Sequence, residues 1–357
     1  MSRLRFPLLG LAITILLLAI WAGWIRLGWP WPALQPNLVL IHGPLMVSGF
    51  LGTLVSLERA VALGARWMYL VPAASTAGAV LLLVGLGGSL GPLLMTLSSL
   101  GMVAIFGVIV RRQFASYTII MGMGALAWLV GNLLWLSGWL IPQLVLWWAT
   151  FLILTIAGER LELGRIQRLP PLAGRIFIGV VILLLAGVFI SMLWHDGGTR
   201  LFSLGMLALA AWFFRYDIAR RTVQKSGLPR YIAVCLLTGY VWLAFAGGLG
   251  LITGAVAVGP RFDAFLHAIF LGFVFSMIFG HAPVIFPAIV GRQFHFTPVL
   301  YANLVLLHTS LLLRVIGDLA GIPPLRMWSG LLNGIALLLF LTSTVVLLFV
   351  PKEPRGN

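Results

Sequence analysis

Long apolar runs broken by short polar stretches account for nearly the whole chain, and this pattern predicts helices that cross a membrane. A bilayer core about 30 Å thick needs about 20 apolar residues per helix. Cutting the sequence at charges, prolines and glycine-rich breaks gives twelve segments: 7–25, 37–57, 67–87, 92–110, 115–137, 141–158, 175–194, 200–214, 231–254, 263–288, 298–320 and 328–350. The eighth is short. The expected fold is an all-α, polytopic integral membrane protein with one transmembrane domain over residues 1–357.

Composition excludes the soluble classes, because 61% hydrophobic and 9% charged residues cannot describe a water-soluble chain of 357 residues. The net charge of +15 does not imply a nucleic-acid partner, because the basic residues are scattered over short loops. With both termini in the cytoplasm, that side holds Arg3, Arg5, Arg59, Arg66, Arg111, Arg112, Arg160, Arg165, Arg168, Arg175, Arg215, Arg220, Arg221, Lys225, Arg230, Arg292, Lys352 and Arg355. Arg26, Arg200, Arg261 and Arg326 fall outside, and Arg314 lies within a span. This is the positive-inside pattern, and with no organellar targeting segment it points to a bacterial inner membrane.

The amino-terminal apolar run is longer than a signal-peptide core and ends in Ala22-Gly23-Trp24-Ile25-Arg26 without a cleavage site, so it reads as a retained helix. Cys235 is the sole cysteine, which excludes an intramolecular disulfide, a thiolate zinc cage and an iron–sulfur cluster. The loops Glu159 to Gly174 and Arg215 to Arg230, about sixteen residues each, read as cytoplasmic connectors whose arginines meet lipid head groups.

A weak internal repeat is also visible. Gly101-Met102 through Arg111-Arg112 recurs as Gly205-Met206 through Arg215, and each is followed by Tyr and Trp eleven apart, Tyr117 with Trp128 and Tyr231 with Trp242. The step is four helices, which predicts a pseudo-repeated bundle with its site at a repeat interface.

Within that frame the second, sixth and tenth spans correspond. The second carries His42 and the tenth His267, each about one turn in from the outer face. Ionisable groups in hydrocarbon are costly and mark functional sites. Equal depth lets both imidazoles face one ligand, and a haem iron takes two axial nitrogens from opposite sides. Helical spacing puts His42, Met46 and Gly49 on one stripe, with Gly49 leaving room for a flat ligand. Arg314, at the same level in the eleventh span, could pair with haem propionates or with Asp318 four residues on.

His281 lies fourteen residues after His267, about 21 Å along the axis. It either satisfies backbone groups freed by a kink at Pro283 and Pro287 or forms a second, inner metal or proton site with His308. Asp263 is placed as a helix N-cap. His295 and His195 are expected in loops, and Glu58, Glu159 and Glu162 as anchors paired with arginines.

His42-x3-Met46-x2-Gly49-Phe50, Leu266-His267-Ala268 with Met277, and Leu313-Arg314-Val315 resemble the NnrS family of twelve-helix bacterial proteins associated with haem, copper and nitric oxide. The layout also resembles subunit I of haem-copper oxidases, whose second and tenth helices supply the axial histidines of a low-spin haem. The resemblance implies haem b between His42 and His267, and a respiratory electron donor or reductase complex as partner. Copper is allowed by the family but disfavoured here, because Pro44 and Leu45 stand where the NnrS pattern has a second histidine and an acid. The sixth span has no histidine, which argues against a binuclear oxygen-reducing centre. The expected function is electron transfer or nitric oxide handling. The alternatives are a secondary transporter of a small anion or proton-coupled substrate, and a non-catalytic assembly factor for a respiratory enzyme.

Overall fold

Hydrocarbon offers no water to a bare N–H or C=O, so an apolar run of this length closes its hydrogen bonds within itself as a helix. The computed structural model describes residues 4–86, 88–167 and 169–349, and twelve helices among them are long and apolar enough to span a membrane. They are α1 (Arg5–Arg26), α2 (His42–Leu63), α3 (Arg66–Leu83), α4 (Leu90–Arg112), α5 (Ser116–Leu136), α6 (Ile141–Gly164), α7 (Pro171–Ile190), α8 (His195–Tyr216), α9 (Leu228–Thr253), α10 (Pro260–Val290), α11 (Val299–Leu319) and α12 (Pro323–Phe349). Arg3, Arg168, Lys352 and Arg355, which entered the charge pattern, lie outside the described residues.

Several ends differ from the sequence expectation for local reasons. The apolar stretch at residues 37–41 forms turns, and α2 starts at His42 and runs to Leu63, where Gly64 at φ +73° takes the left-handed conformation that stops it. The eighth span is not short. Asp196 and Arg200 pair at 2.9 Å one turn apart and carry a polar first turn into α8, so His195 begins a helix rather than lying in a loop. α12 begins at Pro323 because proline is tolerated in a first helical turn, where its missing N–H has no partner to lose.

The helix step of four reappears in burial. α2, α6 and α10 are the most buried spans, with 67%, 83% and 67% of an 18-residue apolar stretch buried against at most 56% elsewhere. The repeated aromatics Tyr117, Trp128, Tyr231 and Trp242 are all buried.

α2 and α10 share a second feature. In each, the histidine-bearing turn passes directly into eight residues of π-helix, Leu45–Gly52 and Ala268–Phe275. Such wide turns favour functional sites and alter which side chains share a face. Phe50 and Phe275, each eight residues past its histidine, stack with centroids 6.2 Å apart and fasten the two helices together.

A polar knot ties α2 to its other neighbours. Ser48 Oγ donates to Asn132 Oδ1 at 3.0 Å, Trp128 Nε1 donates to Ser48 Oγ, Trp148 Nε1 donates to Asn132 Oδ1, and Asn132 Nδ2 donates to the Met95 carbonyl. Trp128 lies so close over Gly52 that a Cβ there has no room. Asn132→Ala strands two buried donors and is expected to cost about 1–3 kcal/mol, read as a lower thermal midpoint in detergent.

Candidate functional site

His42 and His267 line the same cavity, which has a volume of about 620 Å³ and lies between α1, α2, α5, α6, α10, α11 and α12 near one end of the bundle. That size falls within the range of small-molecule and cofactor sites. Its wall is mainly apolar and aromatic, with Trp24, Trp135, Trp139 and Trp148 among the lining residues. The cavity therefore offers a mainly apolar surface with a few charged groups, Arg26, Asp263, Arg314 and Arg326, at its wall.

The state of each imidazole follows from its backbone partner. His42 Nδ1 lies 2.8 Å from the Ala19 carbonyl oxygen and His267 Nδ1 2.8 Å from that of Asp263. A carbonyl only accepts, so in both neutral rings Nδ1 carries the hydrogen and Nε2 keeps its lone pair. No protein donor is bound to either Nε2 among the described residues. A carbonyl on one nitrogen that frees the other is the usual arrangement of a metal-binding histidine.

Of the other residues expected here, Met46 and Arg314 also line the cavity. Gly49 does not. A Cβ on it would meet Ile15 and Ala79 at 3.1 Å, so it is a helix-packing glycine, and the expectation that it makes room for a ligand is corrected. The physical reason is the π segment, whose wider turn carries the seventh residue past His42 off the histidine's face and brings Leu51, the ninth, to the cavity. The close glycine is Gly23 on α1, where an added Cβ would lie 2.9 Å from His42 Cε1.

Arg314 does not pair with Asp318. Its Nε and Nη2 donate to Asp263 Oδ2 and Oδ1 at 2.8 and 3.0 Å, a two-pronged contact joining α11 to α10. Asp263 is thus the partner of a buried guanidinium rather than an N-cap, a position held by Gly259. Asp318 pairs instead with Arg326 at 2.8 Å, and Arg326 also reaches Asp263 at 3.6 Å. Both arginines line the cavity with their charge largely matched. Arg26, at the end of α1, also lines it, is exposed, and has no ion pair among the described residues. Gly23, Arg26, Asp263 and Arg326 are the site residues that sequence reasoning did not select. Asp263 and Arg326 carried a usable signal, as ionisable residues at the level of His267 and Arg314.

The second, inner site is not assembled from His281 and His308. His308 Nδ1 accepts the Trp242 Nε1 hydrogen at 2.9 Å, which leaves its hydrogen on Nε2 and gives a metal no lone pair. His281 Nδ1 donates to the Met277 carbonyl at 2.6 Å, in the turn before it, rather than to a carbonyl freed by Pro283. Its charged neighbours are Arg160, Glu159 and Asp217. Glu159 does pair with Arg59, as expected of an anchor.

No curated protein matches this chain. The sequence pattern of one family, described as a domain of unknown function, DUF8744, matches residues 5–349, and the chain belongs to that family.

Proposed function

We propose that this membrane protein binds haem b between His42 and His267 and acts in electron transfer or nitric oxide handling, in a bacterial inner membrane with both termini cytoplasmic. The observation that carries the reading is the pair of imidazoles on separate helices that line one cavity, each with Nδ1 held by a carbonyl and no protein donor on Nε2 among the described residues. The resemblance of these motifs to NnrS proteins and to oxidase subunit I supports it. Haem held by His42 and His267 would supply a one-electron centre, which favours electron transfer over substrate activation.

The chain's own residues divide the work. His42 and His267 would hold the iron, the tryptophan-rich wall would limit water, and the arginines at the cavity would offer partners to carboxylates of the ligand. Arg314 is already occupied by Asp263, so the cation with charge to spare is Arg26. Arg26→Ala is expected to leave the band positions unchanged and weaken haem retention roughly five-fold, about 1 kcal/mol for a solvent-screened contact. Transfer of haem to apomyoglobin measures it. The direct experiment for the function is the absorption spectrum of the detergent-purified protein, expected to show a Soret band and redox-sensitive visible bands.

The unpaired Arg26 also favours a second reading, in which the cavity takes an organic anion for transport. Colourless protein with anion uptake in proteoliposomes would select it.

A further inference from the structure

The His42 cavity is polar at one end and apolar at the other. Leu40, Leu140 and Val258 line it and are 69%, 68% and 75% exposed, and Arg26 lines it and is exposed too. A residue that both lines a cavity and meets the surroundings marks its opening, so the mouth lies where α1 ends and α2, α6 and α10 begin. The three aliphatic residues stand one or two positions before those three helices, the set related by the step of four.

Three helices that start at this end give the lining a common order. α2 presents His42 first and Leu51 nine residues on, α10 presents His267 first and Phe275 eight residues on, and α12 presents Arg326 first and Leu337 eleven residues on. Those steps are about 10–16 Å along a helix axis, so charged and imidazole groups ring the mouth while buried aliphatic and aromatic side chains form the floor. At the mouth, Asp263 and Asp318 are matched by Arg314 and Arg326. Arg26 is left over. The exposed Arg261, two residues past Gly259 of the lining, is a second cation with no ion pair among the described residues.

A ligand that suits this order has an apolar body and an acidic head. The body leaves water for the floor, which supplies most of the affinity. The head stays at the mouth beside Arg26, where it keeps part of its hydration and escapes the penalty of burying a charge. A compact anion would leave the floor to water that finds few polar partners there, and a neutral apolar molecule would leave the surplus cation unused. We propose that the cavity receives an amphipathic anion, apolar end first, through the mouth framed by Leu40, Leu140 and Val258, and holds its acidic head at Arg26. The inference rests on the same cavity being the binding site, as in the haem reading, but needs no iron. Haem b, with its carboxylates toward Arg26, is one member of the class.

Dansyl-undecanoic acid, a carboxylate with a fluorescent apolar end, and its uncharged methyl ester test it. Each is titrated into full-length protein in nanodiscs, prepared from cells deprived of haem precursor, with empty nanodiscs subtracted. Wild type is expected to bind the acid saturably, with a blue-shifted dansyl band and energy transfer from tryptophans of the cavity wall such as Trp135 and Trp148. Arg26→Ala should weaken the acid roughly five-fold and leave the ester unchanged. Val258→Cys, at an exposed position in a chain whose sole native cysteine is buried, should bind normally until a bulky maleimide is attached and then bind neither probe. Absence of saturable binding in wild type, equal effects of Arg26→Ala on acid and ester, or unimpeded binding after labelling of Val258→Cys would overturn the proposal. Failure of the haem reading shows separately. Protein that is colourless from haem-sufficient cells yet binds the acid removes haem and keeps this inference, whereas a haem protein whose depleted form ignores the acid does the reverse.

Discussion

Alanine at either His42 or His267 is expected to remove the Soret band of the purified protein, while His195→Ala leaves it intact. Each imidazole lines the cavity with one nitrogen, Nδ1, committed to a carbonyl, so only its Nε2 is left to act as a ligand. His195 serves as the control because it lies at the start of α8, outside the cavity lining. Without one of the two histidines a haem would lose one of its two protein ligands and would be held by a mainly apolar wall and the arginines at the cavity. The loss should be complete after purification in both variants, with the protein still eluting as a single species in detergent. Normal haem content in both would remove these residues as ligands.

Removal of Asp263 is expected to cost about 3–5 kcal/mol, because Asp263→Ala leaves the Arg314 guanidinium buried with its two-pronged partner gone. The loss should appear as a large fall in thermal midpoint in detergent. Arg314→Met alone should be comparably harmful, since it leaves a buried carboxylate with His267 Nδ1 at 3.4 Å and Arg326 at 3.6 Å in place of the two-pronged contact. The double variant Asp263→Leu with Arg314→Met should recover most of the loss, as buried ion pairs replaced on both sides by apolar groups often do. Strict additivity of the two single changes would contradict a direct pairing.

The pattern of apolar runs made most of the fold legible. Twelve spans with a step of four appear in the sequence because each helix must satisfy its own backbone and only side chains remain to be read. His42 and His267 were also legible, since their depth depends only on residue count from the span ends. What escaped was anything set by helix rotation or by partners on distant segments. Gly49 illustrates the first case: seven residues returns to the same face only if every turn is α-helical, and no residue in Leu45–Gly52 announces the π conformation. Arg314 illustrates the second. An aspartate four residues on was the nearest candidate in sequence, yet Asp263 on α10 faces it across the helix interface and gives two hydrogen bonds rather than one.

His308 shows a further limit. Its depth matched a metal ligand, but its role is decided by the Trp242 indole on α9, sixty-six residues away, which takes the lone pair that a metal would need. Gly23 belongs with it, because a glycine beside Trp24 near a helix end has no sequence signature that separates room for an imidazole from simple packing.

The electron paramagnetic resonance spectrum of the oxidised, detergent-purified wild-type protein tests the haem account most directly. Two axial imidazoles predict a low-spin ferric signal with one haem per chain. A high-spin ferric signal, or iron-free and colourless protein from cells supplied with haem precursor, would contradict it.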